Sequence, residues 1–139
     1  MKALTLFLMR LTTGLLLIIW GAIKINAPET TVRISDTYYK GFLSETSLLT
    51  PLGGAQILLG ALVILGVFRQ IVYPIQAIVL GIGAVAIWQH ILDPLGLYLV
   101  EESARRTLFF PSSTVFAASL VIMAFKEYDG LSLGAILKR

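Results

Sequence analysis

The sequence predicts an all-α polytopic membrane protein, an antiparallel bundle of four transmembrane helices in a single domain that covers residues 1–139. Two observations predict this fold class. The chain is 57% hydrophobic and only 14% charged, whereas a soluble domain carries about 25% charged residues. The apolar residues also fall into four runs of about 18–22 residues, which is the length that crosses a bilayer as a helix.

The four predicted spans cover residues 4–25, 49–68, 71–92 and 108–125. Arg69 and Gln70 alone separate the second span from the third. A connection this short joins neighbouring antiparallel helices, so the two spans are expected to form a tight hairpin.

The connection between the first two spans is long and is expected to contain a helix of its own. Pro28 suits the first turn of a helix. Val32, Tyr39 and Phe42 then recur at helical spacing. The pattern predicts an amphipathic segment that lies on the outer surface of the membrane between the first and second spans.

With four spans, both termini lie on the same side of the membrane. The cations divide evenly between the two sides, so they do not decide the orientation alone. Most acidic residues fall in the two longer loops, which favours those loops outside. The turn at Arg69 is very short, and its cation is hard to translocate across the membrane, which favours this turn inside. We therefore expect both termini to be cytoplasmic, an N-in, C-in topology.

The first span carries two cations inside an apolar run. Arg10, Gly14, Leu17, Gly21 and Lys24 alternate in spacings of four and three, so they share one face of a helix. A charge in hydrocarbon costs about 2.5–3.5 kcal/mol on insertion scales. This face is therefore expected to lie against the other helices and not against lipid.

The other spans carry similar stripes of small and polar residues. These are Gly53, Gln56 and Gly60 in the second span, Gln76, Gly83 and His90 in the third, and Ser112, Ser119 and Lys126 in the fourth. If the spans are threaded antiparallel, the polar groups fall into two layers. We expect Arg10 to meet Gln76 in an inner layer, and Lys24 to meet Gln56 and His90 in an outer layer. Alternatively, the long side chains snorkel, Arg10 to the inner headgroups and Lys24 to water.

Two interpretations of these layers remain open. They hold interhelical hydrogen bonds of about 0.6 kcal/mol each that determine the register of the helices, or they bind a ligand. A histidine and an amide that face an apolar cleft can donate hydrogen bonds to the carbonyls of a quinone, and a histidine with a pKa of about 6.5 can also transfer protons. The candidate ligand-binding residues are Arg10, Lys24, Gln56, Gln76, His90 and Ser112.

Composition excludes several other kinds of site. The chain has no cysteine, which excludes a disulfide, an iron–sulfur cluster and a c-type haem. A single histidine cannot supply both ligands of a bis-histidine haem, so we expect no metal or cofactor site built by this chain alone. The net charge of +3 is dispersed and does not predict a nucleic-acid partner.

Some of these motifs resemble a known family. The first-span pattern of Arg10, Gly14, Gly21 and Lys24 and the second-span run LGGAQILLG resemble the DoxX-like (DoxX/DoxD) family of small four-helix integral membrane proteins. The tail DGLSL resembles the short ending common in that family. Many relatives have an acidic residue where Gln56 stands, so proton chemistry at that position does not carry over.

The resemblance implies a function linked to membrane redox chemistry. The family includes a subunit of a thiosulfate:quinone oxidoreductase and components of other membrane oxidoreductase complexes. The expected protein is therefore a subunit of the bacterial inner membrane that is accessory to an oxidoreductase and associated with quinone. Its expected partners are the lipid bilayer, another membrane or redox subunit that carries the redox centre, and in some assemblies a second copy of itself.

Two other function classes are weighed against this one. The alternative is a non-catalytic structural or assembly subunit whose glycine stripes pack against partner helices. A transporter or channel is disfavoured, because no broken helix or inverted repeat is evident in the sequence. Whether the chain takes part in catalysis stays open at this level.

Overall fold

The computed structural model describes residues 1–41, 45–104 and 107–137. These residues form helices and loops, and no strand occurs among them. The α-helices are α1 (Lys2–Asn26), α2 (Pro28–Tyr38), α3 (Thr46–Leu65), α4 (Arg69–Ala86), α5 (Trp88–Leu92), α6 (Pro111–Ala124) and α7 (Leu133–Ile136). Short 3₁₀ helices cover Glu102–Ala104, Thr107–Phe109 and Lys126–Tyr128.

Four helical segments of the described residues are long and apolar enough to cross a membrane, which agrees with the predicted number of spans. They are Lys2–Asn26, Thr46–Leu65, Arg69–Ala86 and Thr107–Ala124. The fourth segment joins the 3₁₀ helix Thr107–Phe109 to α6. Large apolar side chains on these segments point outward, such as Leu58 and Ile78, each with 60% of its surface exposed. An apolar exterior around a small buried core is what contact with lipid requires.

Glycine stripes bring α1 and α3 into close contact. Gly14 lies against Gly60, and a Cβ atom added to Gly14 would be 2.7 Å from the Gly60 carbonyl oxygen. Gly21 lies against Gly53 in the same way, at 2.6 Å from the Gly53 carbonyl oxygen. The contacts run in opposite order along the two helices. Such small residues let backbones approach, which is the main source of helix association in lipid.

The turn between α3 and α4 differs from the prediction. The expected two-residue turn at Arg69 and Gln70 is wrong, because α4 already begins at Arg69. The chain turns instead at Gly66, with φ of 66°, and at Phe68, with φ of 47°. A left-handed glycine that ends a helix is a common stop signal, and it ends α3 three residues before the predicted boundary at residue 68.

The predicted third span is not one continuous helix. It breaks at Ile87, which is buried, and the short helix α5 follows. In the fourth span, Pro111 stands at the start of α6, where its missing N–H costs no hydrogen bond.

The helix predicted between the first two spans is present as α2, with Pro28 at its start. Its buried residues are Thr31 and Ser35, whereas Val32 is partly exposed. Phe42, which the spacing also placed on its apolar face, lies outside the described residues. The face of α2 that carries Thr31 and Ser35 packs against the bundle beside α1.

A small apolar core joins the long helices. Leu17, Val63, Val72, Tyr73 and Ile122 are buried together, and they come from α1, α3, α4 and α6. The core separates two polar regions, one at each end of α1, where the residues of functional interest lie.

Candidate functional site

A cleft of about 810 Å³ opens between α1, α2, α3, α4 and α6. Its walls are mostly apolar, with Leu17, Trp20, Val79, Leu80 and Val115 among the lining residues. The volume falls within the roughly 300–1,000 Å³ of small-molecule sites, which usually combine apolar walls with a few polar groups. The size and lining of the cleft therefore make it a candidate ligand site.

A lysine and a glutamine form the polar end of this cleft. The Lys24 ammonium donates a hydrogen bond of 2.8 Å to Gln56 Oε1 and one of 3.5 Å to the Trp20 carbonyl. It also lies 5.7 Å from the centre of the Trp20 ring. The residue is only 8% exposed. This confirms the predicted contact between Lys24 and Gln56.

The glycine stripe explains why these two side chains meet. At Gly53, one turn before Gln56, the backbone approaches α1 so closely that an added Cβ would be 3.2 Å from Lys24 Cβ. A larger residue at this position would push the two helices apart. The close approach of the two backbones therefore brings Lys24 of α1 within hydrogen-bonding distance of the Gln56 side chain of α3.

Other hydrogen-bonding groups in the cleft come from α6 and from the residues that follow α2. Ser112 lines it from the first turn of α6, and Tyr39 and Lys40 line it directly after the end of α2. Burial raises the pKa of the Tyr39 phenol above its usual value, so its hydroxyl stays protonated at neutral pH. Because Lys24 already occupies Gln56 Oε1, the free polar groups are mainly donors, which suit a ligand with carbonyl or anionic oxygens.

A second polar cluster at the other end of α1 holds Arg10. Arg10 Nε lies 3.0 Å from Asp129 Oδ2, and both side chains are buried. The Tyr73 hydroxyl donates a 2.7 Å hydrogen bond to the same oxygen. The two terminal nitrogens of Arg10 donate to backbone carbonyls, at 2.6 Å to Ile64 and 3.2 Å to Leu131. The guanidinium is thus neutralised and hydrogen-bonded within the fold.

This cluster ties the C-terminal tail to the bundle. Arg69 donates 2.7 Å to the Lys126 carbonyl, and the Gly134 amide donates 3.2 Å to the Gly66 carbonyl. A Cβ at Gly66 would lie 2.5 Å from both Arg10 Nη1 and Ser132 Cβ. The left-handed glycine therefore ends α3 and also leaves room for the arginine and the tail.

Arg10 and Gln76 do not form the predicted inner layer. Gln76 is completely buried, yet neither its amide oxygen nor its amide nitrogen makes a hydrogen bond within the part of the chain that the structure describes. Arg10 instead turns to Asp129 and to carbonyls at the end of α3. Arg10 pairs with the Asp129 carboxylate and not with the Gln76 amide, because a full opposite charge stabilises a buried guanidinium far better than a neutral amide does.

His90 also departs from the expected outer layer. Its ring makes edge contacts with Tyr38, at 5.3 Å between ring centres, and with Phe109, at 5.5 Å. It lies beside a separate polar pocket of about 380 Å³ that it shares with Glu101, and it is not part of the cleft that holds Lys24. The break at Ile87 moves His90 off the helical stripe that its spacing predicted.

Asp93 organises the loop that follows α5. Its carboxylate accepts hydrogen bonds of 2.7–2.8 Å from the amides of Leu97, Tyr98 and Leu99 and one of 3.2 Å from the amide of Val100. The bond from the Leu97 amide, followed by those from the other three, holds the pKa of Asp93 well below its usual value. This carboxylate therefore stays ionised and serves the structure of the loop.

The six candidate residues thus separate into groups. Lys24, Gln56 and Ser112 come together in the cleft, whereas Arg10, Gln76 and His90 lie elsewhere. Sequence reasoning missed Asp129, although one signal was present, since an acid just beyond the last span lies on the same side as the buried arginine. It also missed the hydroxyl of Tyr73, which no periodicity marks.

No group of three or more His, Asp or Glu side chains that could hold a metal ion occurs in the described ranges. Comparison with protein-family models, with curated protein sequences and with solved structures gives no match for this chain.

Proposed function

We propose that this protein is an integral membrane subunit, accessory to a membrane oxidoreductase, that holds a quinone in the cleft between α1, α2, α3, α4 and α6. The observation that carries the proposal is the cleft itself, a mostly apolar space of about 810 Å³ with the Lys24–Gln56 pair at its polar end. The resemblance to DoxX-like proteins in the motifs of α1 and α3 supports the link to redox complexes.

A quinone matches the chemistry of this cleft. Its head group is a flat ring with two carbonyl acceptors, and its tail is a long hydrocarbon. The Lys24 ammonium and the Gln56 amide nitrogen are donors at the polar end, and Trp20 supplies an aromatic side chain to the lining. The apolar walls suit the ring and the beginning of the tail.

The proposed topology places the cleft toward the outer side of the bacterial inner membrane. We propose that the four spans are antiparallel and that both termini are cytoplasmic, so that the Lys24 end of α1 is outside and the Arg10 end is inside. A lipophilic quinone that diffuses in the bilayer then reaches the cleft laterally between helices. The redox centre belongs to a partner subunit, and this chain supplies a site for binding or exchange.

Quinone content after purification tests this proposal. The protein is purified from membranes in a mild detergent, and the quinone extracted from it is quantified per mole of protein. We expect near-stoichiometric quinone in the wild type and in Gln70→Leu, an exposed glutamine outside the cleft, but a large loss in Gln56→Leu. A quinone content no higher in the wild type than in an unrelated membrane protein purified in the same way would refute the proposal.

The alternative is a structural subunit that only packs against partner helices. The outward apolar face of α4, with Ile71 and Ile78 each at least 60% exposed, favours this role because it offers a surface for a partner helix as readily as for lipid. If the protein co-purifies with a partner complex whose activity survives Gln56→Leu and Lys24→Met, the structural role is the better account.

A further inference from the structure

The two buried cations of α1 differ in how their charge is compensated. Arg10 has a built-in counter-charge, since Asp129 lies 3.0 Å from its Nε atom. Lys24 is 8% exposed, but the partners of its ammonium are a glutamine oxygen, a backbone carbonyl and an indole ring. All three partners of Lys24 are neutral.

No carboxylate of the described residues compensates Lys24. None lines the cleft, and none lies within ion-pair distance of the ammonium in the ranges that the structure covers. The second charged group of the lining is another cation, Lys40, which is exposed. The polar end of the cleft therefore has a net positive charge.

A buried cation without a counter-charge is costly, because apolar surroundings replace its water without supplying a negative charge. A ligand that brings one negative charge into the cleft removes much of this cost. A neutral ligand of the same shape gains only hydrogen bonds, which are weaker than charge-assisted ones. The cleft should therefore discriminate between ligands by the charge of the head group.

We infer that the cleft selects a lipophilic ligand whose head group carries a single oxygen-centred negative charge, such as an ionised hydroxyquinone. The inference rests on the proposed function for the quinone ring and adds the charge of the head group. In a 2-hydroxy-1,4-quinone the ionised oxygen is next to a carbonyl. Lys24 binds the ionised oxygen, and the Gln56 amide nitrogen, oriented by the bond from Lys24 to Gln56 Oε1, donates to the carbonyl.

A matched pair of compounds tests the role of charge. A 2-hydroxy-3-alkyl-1,4-naphthoquinone is anionic at neutral pH, and its 2-methoxy ether is neutral with nearly the same shape. Binding to the detergent-purified full chain is measured by quenching of Trp20, which lines the cleft, in a Trp88→Phe background, since Trp88 does not line it. Each compound is titrated into this protein, into Lys24→Met and Lys24→Arg, and into Lys2→Met as a control at an exposed lysine.

We expect the hydroxy compound to bind about tenfold more tightly than the methoxy compound, which corresponds to the difference between charged and neutral hydrogen bonds. The preference should vanish in Lys24→Met, persist in Lys24→Arg and remain unchanged in Lys2→Met. Equal affinity for the two compounds in the parent protein overturns the inference but leaves the proposed function standing, and this comparison does not depend on the folding of any Lys24 variant.

A fatty carboxylate separates the two proposals further. If palmitate, which has no quinone ring, displaces the hydroxynaphthoquinone and depends on Lys24 in the same way, the charge selectivity stands and the need for a quinone is refuted. If palmitate does not compete while the hydroxy compound is preferred, both proposals are supported. If neither naphthoquinone quenches Trp20, both are overturned.

Discussion

The buried pair of Arg10 and Asp129 makes a sharp prediction about stability. Replacing Asp129 by leucine leaves the guanidinium of Arg10 buried, with carbonyl oxygens but no negative charge around it. Removing one partner of a buried ion pair costs about 3–5 kcal/mol. For a chain of this size the loss corresponds to a drop of about 10 °C or more in melting temperature.

The double variant Arg10→Met with Asp129→Leu should recover most of this loss, because an apolar pair of similar volume avoids the desolvation cost of both charges. The assay is thermal unfolding in detergent, followed by the loss of the monodisperse peak in size-exclusion chromatography. Glu127→Gln is the matched control, since Glu127 is exposed two residues before Asp129, and it should melt with the wild type.

Two results would refute this reasoning. Asp129→Leu could melt within about 1 °C of the wild type, in which case the carboxylate does not compensate the arginine. Alternatively, the double variant could be less stable than either single variant, which would mean that the two charges act independently and are not one coupled pair.

Three further predictions concern the backbone and the loop after α5. Gly53→Ala should loosen the contact between α1 and α3 and lower the melting temperature, because its Cβ would meet the Gly21 carbonyl oxygen at 2.7 Å. Gly54→Ala, whose Cβ meets nothing within 4 Å, should melt at or slightly above the wild-type temperature. Equal melting temperatures of the two variants would contradict the close contact between the glycine stripes. Gly66→Ala should be destabilising by more than about 1 kcal/mol, because alanine at a positive φ is strained and crowds the tail. In an NMR titration in micelles, the amides bound by Asp93 should shift with a midpoint well below its usual pKa of 3.8. The stability that Asp93 contributes is therefore complete above that pH and declines as the pH falls toward its lowered pKa, and a midpoint at or above 3.8 contradicts the loop geometry.

Much of the helical framework could be predicted from local pattern. Four apolar runs mark four helices because the length of a span is determined by the thickness of a bilayer. The stripes of Gly14 and Gly21 and of Gly53 and Gly60 were also expected to face other helices, since small residues at helical spacing lie on one face. These features depend on residues near one another in sequence, and the structure confirms them.

The partners of the polar residues were harder to predict. A seven-residue spacing linked Gln76 to His90 only on the assumption of one continuous helix, and the break at Ile87 removes His90 from that face. Asp129 lies in an irregular tail, so no periodicity shows that it folds back to Arg10. By contrast, Lys24 and Gln56 lie on regular helices in direct contact, and their pairing was predicted correctly.

Whether the cleft beside Lys24 and Gln56 holds a quinone can be tested directly by locating a photoreactive quinone on the chain. An azidoquinone is cross-linked to the protein in membranes, and the labelled residues are identified by peptide mass spectrometry. We expect labels on the cleft residues of α1 and α4, such as Trp20, Val79 and Leu80, and these labels should decrease in Gln56→Leu. Labels confined to the outward face of α4, around Ile71 and Ile78, and unaffected by Gln56→Leu would contradict this expectation.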